Sequence, residues 1–191
     1  MNHHEPGKLE VWMTVLVGKL FGRSVYEPYV DSLGLRGDER VLDFGSGAGT
    51  PARLLARKLV GGGQVTCVDI SQVWLETARK RLARFPNVAF KLGEIFKLDI
   101  ADASHDVVFI HFVIHDIPAS QRQQVVNHLA RKLVIGGKLY VREPLNVIGQ
   151  DEIRRLLQQS GLTELKANVG TVPLMGTTYE GTFGKEEQDH T

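Results

Sequence analysis

The 191-residue sequence has a single cysteine, few aromatic residues and no marked excess of either charge. One cysteine, Cys67, excludes an intrachain disulfide and any zinc site built from several cysteines. Its 23 Lys and Arg against 22 Asp and Glu disfavour a nucleic-acid or anionic-membrane partner held mainly by charge. No apolar run reaches the ~18 residues that span a bilayer, and the N-terminus does not resemble a secretory signal. These absences predict a soluble cytoplasmic protein without stable membrane insertion.

What the sequence does contain is a regular alternation of short β-branched runs and amphipathic stretches. The predicted strands are residues 40–44, 64–69, 88–92, 106–112 and 138–142, with further candidates at 162–167 and 177–183, and the predicted helices are 51–60, 71–84, 119–132 and 150–160. Such alternation is typical of an α/β protein with a parallel sheet and helices on both faces.

The first part of the chain differs from the rest. Apolar residues at helical spacing predict an amphipathic helix over 8–21, and a second helix over 25–33 is bent at Pro28. These helices either pad one face of the sheet or form a movable cover over a ligand cleft. We therefore expect an N-terminal helical cover at 1–34, one domain at 35–183 and a polar tail at 184–191.

A glycine-rich loop follows the first predicted strand. Gly45 and Gly47 allow backbone conformations closed to larger residues and let a ligand approach the main chain closely. Thr50 is expected to cap the next helix, with Pro51 at its first position. The carboxyl end of a first strand is where open α/β sheets bind ligands, so the loop predicts a ligand site.

An acidic residue completes this pattern. Asp69 ends the second predicted strand, where a carboxylate accepts hydrogen bonds from ribose hydroxyls, although it could instead cap the following helix. Thr50 stands where a dinucleotide-binding loop has its third glycine. Asp43 disfavours a pyrophosphate and favours a cationic group, because a carboxylate beside a polyanion costs free energy.

Five segments in this order resemble the motifs of class I S-adenosylmethionine-dependent methyltransferases. Residues 41–49 resemble the glycine motif, 68–71 the ribose-binding acid, 91–95 the adenine-contacting motif, 105–118 the fourth-strand motif and 133–139 the turn before the fifth strand. The sequence is most similar to the small-molecule branch that includes the ubiquinone and menaquinone biosynthesis type. This resemblance implies a Rossmann-like sheet of seven strands with the last one antiparallel. S-adenosylmethionine, a cation without phosphate, suits the charge of the loop.

The resemblance implies a set of cofactor-binding residues: Asp43, Gly45, Gly47, Asp69, Ile70, Glu94, Ile95 and Ile110. In this assignment Asp43 stabilises the ammonium group and Asp69 holds the ribose. Glu94 accepts a hydrogen bond from the adenine amino group, while Ile70 and Ile95 pack against the ring.

Three side chains near predicted strand ends are candidate catalytic groups: His111, Glu143 and His115. A histidine with an ordinary pKa near 6.5 suits proton removal at neutral pH, which a hydroxyl or acidic carbon acceptor requires. Each also has a structural interpretation: His111 in the core, His115 beside a helix start, and Glu143 in an internal ion pair. No metal-binding pattern is evident, so we expect no metal.

These observations favour a methyltransferase that transfers a methyl group in line to a small-molecule acceptor, with no nucleic-acid partner. Two alternatives stay open. The chain could bind S-adenosylmethionine as a regulatory or scaffold protein without catalysis, or, with less support because of Thr50, act as an NAD-dependent oxidoreductase. The sequence does not name the acceptor or the oligomeric state.

Overall fold

The computed structural model describes residues 5–20, 22–173 and 175–187. The chain forms two compact units, Met1–Leu98 and Asp99–Thr191. In the described part, no helix is long and apolar enough to cross a membrane.

The first unit contains three parallel strands, four α-helices and a 3₁₀ turn (Ile95–Lys97) among its described residues. In chain order they are α1 (Lys8–Leu20), α2 (Gly22–Ser32), β1 (Arg40–Phe44), α3 (Thr50–Lys58), β2 (Gln64–Asp69), α4 (Gln72–Arg81) and β3 (Val88–Leu92). Strand β2 pairs in parallel with β1 on one side and with β3 on the other. The bounds predicted for these three strands are confirmed, because each strand is a short apolar run closed by residues that favour turns.

The second unit contains the other four strands of the described chain. Its elements are β4 (His105–His111), a 3₁₀ turn (Ile114–Asp116), α5 (Ala119–Lys132), β5 (Leu133–Pro144), α6 (Gln150–Gln159), β6 (Leu162–Val172) and β7 (Gly176–Lys185). Strands β4 and β5 are parallel, whereas β7 runs antiparallel to both β5 and β6. The predicted seven-stranded sheet with an antiparallel last strand is confirmed.

The N-terminal helices form, but the apolar face predicted for α1 is not buried over its first turns. Leu9, Trp12 and Met13 are 73%, 58% and 48% exposed. The helix approaches α3 closely at Gly18, where an added Cβ would lie 2.9 Å from Thr50 Oγ1. A glycine lets two backbones approach closely, so the contact is made by the smallest residue of α1. Phe21, predicted within this helix, lies outside the described residues.

Strand β5 is longer than the sequence predicts. It continues through Glu143 and Pro144 because β7 pairs with it to that end, Glu143 opposite Tyr179 and Pro144 opposite Thr178. Proline is tolerated where a strand needs no N–H bond from that residue. At the C-terminus β7 includes residues 184 and 185 of the predicted tail, and residues 188–191 lie outside the described chain.

Candidate functional site

The glycine loop turns sharply at the end of β1. Gly45 and Gly47 have φ angles of 71° and 50°, in the left-handed region that favours glycine. The loop is tied to β2, because the N–H groups of Gly45 and Ser46 donate to the Val68 carbonyl at 2.8 and 3.1 Å. A Cβ built on Gly47 would meet nothing within 4 Å, so open space lies beside the loop.

The third glycine of the loop has a packing role. A Cβ on Gly49 would lie 2.9 Å from Leu82 Cδ1 and 3.1 Å from Ala78 Cβ, so this residue rests directly against α4 and its C-terminal cap. From the same helix Arg81 donates to the Ala48 carbonyl. The loop is therefore seated on α4 as well as on β2.

The predicted cap of α3 is wrong. Gly49 occupies the cap position and no side chain accepts a hydrogen bond there, whereas Pro51 stands in the first turn as expected. The Thr50 hydroxyl instead accepts a hydrogen bond from Arg81 at 3.2 Å. Sequence reasoning missed Arg81, because its contact with the loop depends on how α4 is placed and not on local spacing.

Asp69 links the loop to the end of β2. Its Oδ2 accepts from the Gly47 N–H at 2.8 Å, and its Oδ1 accepts from the Ser71 N–H at 2.9 Å. One oxygen therefore holds the glycine loop and the other the residue before α4, and the ribose contact of Asp69 stays a prediction. Each carboxylate oxygen has two lone pairs and can accept more than one hydrogen bond.

Asp43 is a buried carboxylate of β1, 2% exposed. Its Oδ2 has no hydrogen-bond partner among the described residues. Burial and the nearby Asp69 carboxylate raise the pKa of Asp43 to about 7. A buried carboxylate with unmet acceptor capacity is stabilised by a cationic donor, and open space lies beside Gly47, three residues after β1 ends. The carboxylates of Asp43 and Asp69 thus fit the ammonium group and the ribose hydroxyls of S-adenosylmethionine as hydrogen-bond acceptors.

The remaining predicted cofactor residues differ in exposure. Ile70 is half-buried and Ile95 and Ile110 are buried. Glu94 pairs with Lys97 Nζ at 2.5 Å, so a hydrogen bond to an adenine amino group would be shared with that cation. Contacts of these four residues with the cofactor stay predictions.

In the second unit, the chain bends sharply after β4. Phe112 has a φ angle of 58°, an uncommon conformation for a bulky side chain, and its N–H donates to the Arg142 carbonyl at 2.9 Å. Such strain persists only where surrounding contacts enforce it. The bend turns the Ile114–Asp116 segment toward Glu143.

Glu143 is fully buried at 0% exposure and receives three hydrogen bonds. The N–H groups of Val113 and Ile114 donate to Oε1 at 2.8 and 2.7 Å, and His115 Nδ1 lies 2.6 Å from Oε2. The hydrogen bond to Glu143 raises the pKa of His115 above its ordinary value. With its proton on Nδ1, the neutral imidazole presents Nε2 as an acceptor.

Arg122, which sequence reasoning also missed, holds the turn that carries His115. Its guanidinium donates to the carbonyls of Ile117 and His115 at 2.9 and 3.0 Å, and to Glu152 Oε1 at 2.8 Å. A planar group with five donors can hold several acceptors at once. The imidazole is therefore fixed through its ring by Glu143 and through its backbone by Arg122.

His111 has a different environment. It is 8% exposed, its ring stacks on Phe109 with centroids 6.0 Å apart and meets Phe112 edge-on at 4.2 Å. Burial, with the Arg142 cation adding to it, lowers the pKa of His111 to about 3. The imidazole is neutral at physiological pH and a weak proton acceptor, which favours the core interpretation.

Neither metal nor thiol chemistry finds support in the described residues. No group of three or more His, Cys, Asp or Glu side chains among them is arranged to hold a metal ion. Cys67 is buried inside β2, and burial raises the pKa of its thiol. A thiol in that state is unreactive, because the nucleophile is the thiolate.

A profile of the family described as a methyltransferase domain matches residues 41–137. An arsenite methyltransferase of Halobacterium salinarum is 36% identical over 107 residues, covering 55% of this chain and 27% of that protein. A demethylmenaquinone methyltransferase of Tropheryma whipplei is 37% identical over 111 residues, covering 58% of this chain and 44% of that protein. A solved SAM-dependent methyltransferase from Aquifex aeolicus superposes with a TM-score of 0.76 at 19% identity, covering 92% and 99% of the two chains.

The chain belongs to this family of methyltransferase domains, whose profile matches about half of it. The structural likeness confirms the predicted Rossmann-like fold, and the family assigns S-adenosylmethionine as the cofactor. The chain spans less than half the length of the two curated relatives described above.

Proposed function

We propose that this chain is an S-adenosylmethionine-dependent methyltransferase acting on a small-molecule acceptor. The observation that carries the proposal is the carboxylate of Asp43, buried with an unmet oxygen at the end of β1. Beside it, Gly47 faces open space and donates its N–H to Asp69. A buried acid with a raised pKa needs a physical reason, and a ligand cation supplies one.

The size and chemistry of the acceptor are inferred from several directions. Both curated relatives are named for small acceptors, arsenite and demethylmenaquinone. The near-zero net charge of +1 disfavours a polyanionic acceptor. The buried single thiol of Cys67 offers no ligand for arsenite, so we favour an organic acceptor.

S-adenosylmethionine supplies a methyl group on a sulfonium, which moves in line to an acceptor lone pair while the sulfur keeps the electrons of the broken bond. The protein's own contribution begins with binding: Asp43 holds the ammonium and Asp69 the ribose. Gly45 and Gly47 let the backbone approach the ligand. Positioning and exclusion of water account for much of the rate enhancement in such displacements.

We assign proton removal from the acceptor to His115. Glu143 is a positioning residue, because it is fully buried, both of its oxygens already accept hydrogen bonds, and Oε2 fixes the imidazole through Nδ1. Nε2 of His115 then accepts the acceptor's proton. His111, with its pKa near 3, instead packs against Phe109 at the end of β4.

Thermal-shift titration tests the cofactor, since a ligand that binds the native state stabilises it by mass action. We expect S-adenosylmethionine and S-adenosylhomocysteine to raise the melting temperature and NAD to leave it unchanged. No shift with either adenosyl ligand overturns the proposal. A shift with NAD alone supports the oxidoreductase alternative.

Catalysis is tested separately from binding. Transfer of a labelled methyl group is measured across a panel of hydroxyl- and carbon-acid metabolites, in wild type and in His115→Gln. If wild type transfers the methyl group and His115→Gln does not, although the variant still binds the cofactor, the result supports an enzyme with a histidine base. Cofactor binding without transfer to any acceptor of the panel favours the regulatory or scaffold alternative.

A further inference from the structure

The N-terminal segment reaches the first turn of α4 through the side chain of Glu5. Ser71 Oγ donates to Glu5 Oε2 at 2.6 Å, and the Gln72 N–H donates to Glu5 Oε1 at 3.1 Å. The Val73 N–H lies 3.4 Å from Glu5 Oε2. A carboxylate from the N-terminal segment thus caps a helix that begins 67 residues later.

With Glu5 in place, the backbone donors of this helix start have acceptors. The Trp74 N–H donates to Ser71 Oγ at 3.1 Å, and the Ser71 N–H donates to Asp69 Oδ1. The first N–H groups of a helix otherwise lack partners and attract anions. Two carboxylates, Glu5 and Asp69, therefore share one helix start, and each takes different donors.

This division leaves one oxygen of Asp69 for the glycine loop. Asp69 Oδ2 accepts from the Gly47 N–H at 2.8 Å while Oδ1 stays on Ser71. Without Glu5, the first-turn N–H groups of α4 would draw the Asp69 carboxylate toward the helix and away from Gly47. The side chain of Glu5 thereby influences both the ribose acid and the loop.

A second contact fixes the same segment at the other side of the loop. Gly18 of α1 lies against Thr50, the first residue of α3, as the 2.9 Å approach of an added Cβ shows. Gly22 lies on the same threonine, with an added Cβ 3.5 Å from Thr50 Cγ2. The segment from Glu5 to Gly22 is therefore anchored at the starts of α4 and α3, the two helices that follow the ligand-binding strand ends.

We propose that Glu5 is a positioning residue of the cofactor site, holding Asp69 between the glycine loop and α4 so that it meets the ribose hydroxyls. The inference rests on the proposed function, because it assumes that Asp69 receives a ribose. It assigns the N-terminal segment a role in binding the cofactor. The site then includes a residue that precedes residue 41, where the family match begins.

The experiment compares Glu5→Ala with Glu10→Ala in the full chain by titration calorimetry. Glu10 is an exposed acid of the same segment and serves as the matched control. We expect Glu5→Ala to raise the Kd for S-adenosylhomocysteine about tenfold, the size of one charged hydrogen bond acting at the site. Glu10→Ala is expected to leave the Kd unchanged, and Glu5→Gln, which keeps an acceptor oxygen, to restore part of the affinity.

A ribose-specific readout separates positioning from a general structural effect. The same titrations use the 2′,3′-dideoxy analogue of S-adenosylhomocysteine, which lacks the hydroxyls that Asp69 accepts. If Glu5 acts through Asp69, Glu5→Ala weakens the natural ligand and leaves the analogue's weaker affinity unchanged. The melting temperature of each free variant shows whether folding is preserved.

Two results overturn the inference while leaving the proposed function intact. One is that Glu5→Ala binds S-adenosylhomocysteine with the same Kd as wild type. The other is an equal loss for the natural ligand and its dideoxy analogue, which marks a general effect on the fold. Failure of wild type to bind either ligand instead contradicts the proposed function.

Discussion

The two regions that carry the candidate chemistry each contain a buried acid, but the acids have opposite surroundings. Asp43, in the first unit, is buried with an oxygen that lacks a hydrogen-bond partner among the described residues. Glu143, in the second unit, receives three donors from the turn after β4. An unsatisfied acid has capacity for a ligand, whereas a satisfied acid fixes its neighbours. In the proposed function, the first region binds the cofactor and the second orients a base.

The largest effect on activity is expected at the proposed base, His115. His115→Gln removes the proton acceptor and should lower kcat by about 10²- to 10⁴-fold, the range for general-base catalysis, with the cofactor Kd unchanged. The measurement is transfer of a labelled methyl group to an acceptor identified by screening. His128→Gln, at a half-buried position of α5, is the control. A large loss in His111→Gln with none in His115→Gln would reverse our assignment.

The next largest effect is expected in the binding region. Asp43→Asn keeps the shape and removes the charge, so we expect the cofactor to bind more weakly by about 2–3 kcal/mol. Burial raises the pKa of Asp43 from 3.8 to about 7. The ligand-free protein therefore loses stability as pH rises between those values, because Asp43 ionises more readily in the unfolded chain. The free variant should therefore melt at a higher temperature than wild type above pH 7. Unchanged cofactor affinity in a folded variant contradicts the binding role.

Asp69 should show a smaller loss, since the neutral ribose hydroxyls are its expected partners. Asp69→Ala is expected to weaken the binding of S-adenosylhomocysteine by about 1–3 kcal/mol, which includes any displacement of the loop at Gly47. Calorimetry provides the Kd, and circular dichroism confirms that the variant is folded. A folded variant that binds as well as wild type would exclude Asp69 from the site.

The smallest effect tests the positioning role of Glu143. Glu143→Gln removes the charge that raises the pKa of His115, so the imidazole should titrate at lower pH in NMR spectra. A histidine whose folded pKa is raised stabilises the fold below its unfolded pKa, and this stability disappears as pH rises through the folded value. The free energy of unfolding of wild type should therefore exceed that of Glu143→Gln by a larger margin at about pH 5.5 than at about pH 9. An unchanged His115 titration contradicts the role.

The sequence predicted features that depend on local pattern. The bounds of β1, β2 and β3 followed from short apolar runs, and the glycine spacing identified a loop whose Gly47 has a left-handed backbone and open space beside it. Side-chain roles set by distant residues could not be predicted in this way. Glu143 was a candidate base, and the three donors that it receives from a turn about 30 residues earlier appear only in three dimensions.

The same limit explains the errors near the N-terminus. Thr50 matches the composition of a helix cap, but Gly49 takes that position while Arg81 from α4 engages the threonine hydroxyl. The apolar spacing of α1 predicted an amphipathic helix, which forms, yet Trp12 is 58% exposed while Gly18 lies against Thr50. Periodicity predicts that a helix forms, and packing decides which face is covered.

In the proposed function, the buried carboxylate of Asp43 binds the ammonium group of the cofactor near the glycine loop. This contact is tested most directly by calorimetric titration of S-adenosylhomocysteine at pH 6.5 in buffers of different ionisation enthalpy. The ammonium of the ligand favours ionised Asp43, whose pKa near 7 leaves it largely protonated beforehand. We predict one-to-one binding with release of a proton, which Asp43→Asn abolishes. Absence of binding, or binding with the same proton release in the variant, would contradict the account.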